Sequence, residues 1–259
     1  MTTNPPRARA VADRFPAALA LFRDASPELL EQRLLQRRVD RKFVFAARLL
    51  DALSTQLCTH FSVIRAGTAP LATYHTVYFD TPSRQMYEDH RRGRLPRHKV
   101  RVRHHVERRL SFLEVKCKSA DGRTTKARTR RPFGEVMFDG DATTFLARYC
   151  SMSRDVLVPR LWMTFRRITL AGDAVDERVT IDCDLEFVAD MMRRPLPGIA
   201  VVEIKQRAYR NDTPSIRALR ALHIRERGFS KYCLGTAMLA PVRSQPFRET
   251  LRLLERLSV

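Results

Sequence analysis

Lys99-Val100-Arg101-Val102-Arg103 sets three cations two residues apart, and Leu113-Glu114-Val115-Lys116-Cys117-Lys118 repeats the alternation a short way on. In an extended chain successive side chains face opposite ways, so each segment carries an ionic stripe backed by an apolar one. Arginine offers a planar fork to carboxylate or phosphate oxygens and lysine a compact charge, so two such stripes side by side suit a strongly anionic ligand. The same habit recurs in Arg38, Asp40 and Lys42, in Asp182, Asp184 and Glu186, and in Glu203 and Lys205. Ionised groups at that density cannot be buried dry. If the stripes converge, they line a wet, charged lumen while the apolar faces pack outward against helices.

The bulk composition agrees. Lys and Arg number 48 against 28 Asp and Glu, a formal charge of +20, which attracts polyanions of any kind: nucleic acid, anionic lipid, nucleotide or polyphosphate. A chain of 259 residues with 44 % hydrophobic content is sized for one domain. We expect an arm over residues 1–20 and a single domain over 21–259. No window reaches the roughly 18 apolar residues of a membrane span, and Met1 to Arg14 is too polar for a leader, so the expected home is the cytoplasm. Cys58, Cys117, Cys150, Cys183 and Cys233 form no CxxC pair, which argues against a disulfide framework and a zinc knuckle alike. Six of the histidines, His75, His90, His98, His104, His105 and His223, lack metal-ligand spacing. Tyr74, Tyr78, Phe79 and Trp162 read as packing residues. A nucleic-acid binder remains the competing class on charge alone, but no helix-turn-helix or RNP-like motif is present.

Short strands alternate with a few helices. Ser26-Pro27 caps a helix to about Gln36, Arg38–Phe45 alternates as a strand, and Ala46–Phe61 has helical spacing of leucines. Strands follow at Tyr74–Asp80, at the two stripes above, and after the Asp121-Gly122 turn at Thr124–Arg130. A short helix is predicted over Asp141–Cys150. Three strands then span Pro159–Leu170, Arg178–Val188 and Ile199–Gln206, and helices are expected from Thr213-Pro214 to Gly228 and over Pro246–Leu257. Such a chain reads as α+β, an antiparallel barrel with helices outside.

The order of motifs resembles the VTC (vacuolar transporter chaperone) polyphosphate polymerase domain of the CYTH-like triphosphate tunnel metalloenzymes. The resemblance rests on Val39-Asp40-Arg41-Lys42-Phe43, Tyr78-Phe79-Asp80-Thr81, the two stripes, Thr125-Lys126-Ala127-Arg128, Arg178-Val179-Thr180-Ile181-Asp182, Val202-Glu203-Ile204-Lys205 and Phe229-Ser230-Lys231-Tyr232, in the family's order over residues 38–235. It implies an eight-stranded antiparallel β tunnel, a closed barrel with a basic lumen. Lys42, Arg101, Arg103 and Arg167 would be catalytic. Lys99, Lys116, Lys126, Arg128, Lys205, Ser230 and Lys231 would bind substrate. Glu203 takes the position of the family's metal-binding glutamate, with Asp182 as a second carboxylate to test, for Mn2+ or Mg2+.

The reaction implied is transfer of the terminal phosphoryl group of ATP onto inorganic polyphosphate. Positioning and neutralising the charge of the phosphoryl group is most of that task, and a phosphate acceptor, already ionised, needs no strong base. Two departures stand out. Where hydrolytic relatives carry Glu-x-Glu-x-Lys this chain has Arg38, Asp40 and Lys42, and Phe165 replaces a tyrosine two residues before the family's arginine. Two alternatives stay open: a triphosphate or polyphosphate hydrolase of the same superfamily, and a non-catalytic polyphosphate-binding module. The absence of an anchor leaves room for a membrane-protein partner.

Overall fold

A computed structural model describes residues 19–32, 39–150, 152 and 156–258. Most of the expected arm, Arg38 and the end of the first predicted helix lie outside the described residues. The elements are α1 (Pro27–Gln32), β1 (Val39–Ala46), α2 (Leu50–Leu57), β2 (Phe61–Val63), β3 (Leu71–Asp80), α3 (Gln85–Arg91), β4 (Arg97–His105), β5 (Leu110–Lys118), β6 (Thr124–Arg131) and α4 (Gly140–Tyr149). They continue with β7 (Val158–Gly172), β8 (Glu177–Ala189), β9 (Met192–Leu196), β10 (Ile199–Gln206), α5 (Pro214–Ala221), α6 (Lys231–Leu239) and α7 (Arg248–Leu257).

All ten strands join one antiparallel sheet. Eight follow the path β1-β10-β8-β7-β3-β4-β5-β6, while β2 pairs with β7 and β9 with β8. The expected closed, eight-stranded barrel is therefore corrected: the sheet has ten strands and does not close, since β1 and β6 are not paired. The composition of β6 gives a reason. Of its eight residues only Arg131 is buried, so this strand offers a neighbour no apolar surface to pack against.

The apolar stripes face outward as expected along most of the sheet. Phe43, Phe45, Ile181, Val202 and Ile204 pack under α2 and α5 through Leu50, Leu53, Ile216 and Leu219. Val77, Val100, Val102, Leu113 and Val115 pack under Met86 of α3 and Leu146 of α4. The concave side differs from the expectation of a purely ionic lumen. Inward rows pass from charge to hydrocarbon along one strand: Lys42 gives way to Val44, Glu203 to Val201, and Arg167 to Phe165, Met163 and Leu161. In β8 the backbone of Asp184 is left-handed (φ 50°) and the register with β7 shifts nearby, which turns Leu185 and Phe187 inward.

Helix α6 lies in this apolar half. Beyond Lys231 its sequence has no polar face, as befits a helix enclosed on most sides, and Tyr232, Cys233 and Leu234 are all at most 2 % exposed. Contact is close enough that a Cβ on Gly235 would sit 2.6 Å from Phe187 and 2.7 Å from Leu161. Tyr232 also donates its hydroxyl to the buried Asp80 carboxylate, which in turn accepts the backbone N–H groups of Met86 and Tyr87. That one carboxylate ties α3 and α6 to the end of β3.

Candidate functional site

The charged half of the concave face encloses a cavity of about 190 Å³. Side chains from β1, β3, β4, β5, β6, β7, β10 and the first turn of α6 line it, with nine basic groups against three carboxylates. It opens into a wider vestibule of about 740 Å³ that shares Lys42, Lys99, Lys116 and Ser230 and adds Arg97, Lys118 and Arg227. Cross-strand register explains the convergence: Lys42 faces Glu203, Lys99 faces Lys116, Arg101 faces Glu114 and Tyr78, and Lys116 faces Lys126.

Two of the lining carboxylates, Glu114 and Glu203, and Asp182 behind the cavity wall are taken up by cations. Glu114 bridges Arg101 Nε (2.5 Å) and Lys126 Nζ (2.6 Å). Asp182 receives Arg167 through both oxygens, at 2.5 and 2.8 Å, and Lys231 on Oδ2 as well. Glu203 Oε1 accepts Lys205 Nζ at 2.5 Å, and Oε2 accepts no hydrogen bond among the described residues. Burial alone would raise the pKa of all three. The adjacent cations outweigh it: Arg101 and Arg103 at Glu114, Arg167 and Lys231 at Asp182, Lys205 and Lys42 at Glu203. All are held below the usual carboxylate range.

The cations exceed what these carboxylates neutralise. Lys42, Lys99, Arg103 and Lys116 have no ion pair among the described residues; Lys42 donates to the Phe229 carbonyl (2.8 Å) and Lys99 to Ser230 Oγ (2.9 Å). Burial, with Lys42 and Lys116 nearby, draws Lys99 down to about 8. Burial also takes Lys205 to about 8, and burial with Arg101 takes Arg103 to about 10. A site whose own cations repel one another this strongly gains by admitting an anion.

Phe165 acquires a role that its missing hydroxyl obscured. It is buried, stacks on Tyr74 with ring centroids 5.1 Å apart, and lies beneath Arg103 (5.4 Å), Arg167 (5.3 Å) and Lys231 (5.0 Å). The aromatic pair is an uncharged floor that attracts cations through its ring faces. Tyr78 is a second surprise. Expected only to pack, it lines the cavity, accepts Arg101 Nη1 at 3.3 Å, and has its pKa lowered by Arg101, Arg103 and Lys231 against the upward pull of burial. Its alternation with Tyr74 and its pairing with Arg101 were the signals that mark it.

Of the residues singled out in the sequence, Lys42, Lys99, Arg101, Arg103, Lys116, Lys126, Arg167, Glu203, Lys205, Ser230 and Lys231 converge on this cavity. Asp182 binds two of them from behind. Arg128 does not join them: it is exposed and lies 4.9 Å over Phe112. Asp184 and Glu186 are not lumen counter-charges either, because beyond the left-handed Asp184 the strand presents Leu185 and Phe187 inward, and Glu186 pairs with Arg193. Among the described residues no three His, Cys, Asp or Glu side chains gather as a metal site. Asp182, with both oxygens engaged, does not fit a metal ligand without losing Arg167 and Lys231. Glu203, with one oxygen not taken by Lys205, would fit a hard cation as a single carboxylate ligand.

Cavity and sheet together define an antiparallel-sheet protein whose concave face carries an enclosed basic site. Residues 37–240 match the VTC domain model, and the chain belongs to that family. No curated protein matches its sequence. Among solved structures, a Bacillus halodurans protein described as a candidate adenylate cyclase is similar at 12 % identity, over 75 % of this chain and 94 % of its own, with a TM-score of 0.51. That similarity shows the fold. The HpAC1 protein of Hippeastrum, described as a candidate adenylyl cyclase with a dominant triphosphatase activity, aligns at 11 % identity over 79 % of this chain and 98 % of its own, TM-score 0.46.

Proposed function

We propose that this protein is a phosphotransferase that moves the terminal phosphoryl group of ATP onto an inorganic polyphosphate chain held in the basic cavity. The observation that carries the reading is the convergence of nine cations on one enclosed space while Glu114, Asp182 and Glu203 are already bound to lysine or arginine. Cations in excess of fixed carboxylates stabilise the charge spread over a phosphoryl group in flight. Arg101, Arg103 and Arg167 orient phosphate oxygens, while Lys42, Lys99, Lys116, Lys126, Lys205 and Lys231 neutralise neighbouring units, with Ser230 beside Lys99. A divalent cation, Mn2+ or Mg2+, would neutralise phosphate charge when bound, and Glu203 is the residue that would hold it. The carboxylates favour transfer over hydrolysis, because one paired with a cation is a poor base for water.

The test is to incubate the purified protein with ATP labelled at the terminal phosphate and manganese, then separate products by gel. A ladder that retains the label supports transfer, orthophosphate alone identifies the hydrolase, and unchanged ATP identifies a binding module. Arg101→Ala is expected to abolish the ladder and leave the fold intact, as judged by circular dichroism.

A further inference from the structure

The vestibule outside the cavity has two unlike walls. On the sheet side Lys42, Arg97, Lys99, Lys116 and Lys118 line it, none of them in an ion pair among the described residues. Cross-strand register sets Arg97 against Lys118 and Lys99 against Lys116, so their charges lie side by side. The facing wall carries no uncompensated charge. Arg227 and Glu249 bind each other at 2.9 Å, and most of the remaining lining is Phe229, Gln245, Pro246, Phe247 and Thr250. His90 of α3 completes this wall with a neutral ring, since burial, with Lys99 and Arg97 nearby, draws its pKa down to about 3.

The second wall is already in place. Tyr87 is buried and donates its hydroxyl to the Arg243 carbonyl at 2.8 Å, which ties the segment leading to Phe247 onto α3. The half-buried Phe247 ring lies 5.9 Å from Tyr87 and 6.3 Å from His90, its plane within 21° of the imidazole. Gln245 beside it is exposed, and its side chain makes no hydrogen bond among the described residues. These residues follow position 240, where the match to the VTC domain ends, so the wall lies outside the matched domain. Trp162, read from the sequence as a packing residue, is instead 41 % exposed on the convex face and plays no part here.

A polyphosphate chain offers charge in every direction and gains nothing from an uncharged aromatic wall. A ligand that suits both walls is anionic along one part and neutral and planar at the other, which is the form of a nucleoside triphosphate. The cavity of about 190 Å³, lined by charge, suits phosphates and not a base; the vestibule of about 740 Å³ is of ordinary ligand-site size and shares Lys42, Lys99, Lys116 and Ser230 with it. We propose that the vestibule is a nucleoside site, in which the base of a nucleoside triphosphate stacks on Phe247 and meets Gln245 at its edge while the phosphates pass Lys99 and Lys42 into the cavity. The inference rests on the proposed function for the cavity as the seat of the triphosphate. Phe247 is then the residue that separates a nucleotide from bare tripolyphosphate.

Titration calorimetry of the full chain compares the non-hydrolysable analogue β,γ-imido-ATP with tripolyphosphate at one salt concentration. Phe247→Ala is expected to weaken the analogue by roughly 5- to 150-fold, the loss of one base stack, with tripolyphosphate affinity held at the wild-type level. Phe247→Tyr, which keeps the ring, is expected to restore analogue binding. Equal loss for both ligands would make Phe247 a packing residue and overturn the proposal. Analogue affinity indifferent to Phe247→Ala, or no binding of the analogue to the wild type, would overturn it as well. The labelled-ATP assay separates this site from the activity: Phe247-dependent nucleotide binding without a ladder refutes the phosphotransferase and leaves the nucleoside site standing, and a ladder with binding indifferent to Phe247 does the reverse.

Discussion

Asp182 is the most informative residue to change, because its removal moves stability and ligand binding in opposite directions. The carboxylate is 1 % exposed and satisfies both Arg167 and Lys231. In Asp182→Asn the amide keeps the shape but loses the charge, leaving two buried cations facing each other with no anion. Breaking a buried pair from one side costs about 3–5 kcal/mol. A chain of this length shifts its midpoint by about 2–4 °C per kcal/mol, so the expected fall in Tm is roughly 6–20 °C. On the proposed function tripolyphosphate draws on the same two cations, so in the wild type it competes with that internal anion. Its stabilising effect is therefore larger in the variant than in the wild type. Differential scanning fluorimetry with and without tripolyphosphate reads both quantities. A variant that melts with the wild type, or gains less from the ligand, would refute the assignment of Asp182 as the site's resident counter-ion.

Two further outcomes follow from the same geometry. Lys99 and Lys205 have values near 8, and a bound phosphate favours their charged forms, so the complex holds more protons than the free protein above that pH. Tripolyphosphate affinity measured by titration calorimetry is expected to be level below pH 8 and to fall as pH rises beyond it; affinity that increases with alkalinity would contradict the cationic lining. In α6, Gly235→Ala gains about 1 kcal/mol of helix propensity but drives a methyl into Phe187 and Leu161, at a cost of about 1–3 kcal/mol. The expected result in chemical denaturation is net destabilisation, and a variant more stable than wild type would show that α6 is not seated as described.

What could be read from the sequence was what depends on local periodicity. The strand over Ile199–Gln206 coincides with its prediction, and the helix over Asp141–Cys150 is displaced by one residue, because alternation and helical spacing are properties of the segment itself. The convergence of eleven chosen residues was legible too, since a shared strand face fixes direction once strands are adjacent. Other features depend on contacts distant in sequence. The turn at Asp184 reverses a strand's facing through one left-handed residue, which composition does not announce, and Asp184 and Glu186 were misplaced as a result. Helix α3 begins after a left-handed Arg84 and draws its N–H partners from Asp80, on the preceding strand. The predicted helix to Gly228 stops at Ala221, although Thr213-Pro214 does start it. Lys231–Leu239 offers no polar face to orient, so only the surrounding sheet reveals that it fills the concave side.

Inward rows that are ionic at one end and hydrocarbon at the other make the basic site and the core share one ruler. A single extra residue in β7 or β10 ahead of the apolar row would exchange the two faces along the rest of that strand, turning Arg167 or Glu203 out of the cavity and, in the same stroke, stripping α6 of its seat. Length changes in this chain are therefore tolerable only in its turns, where nothing downstream must keep count.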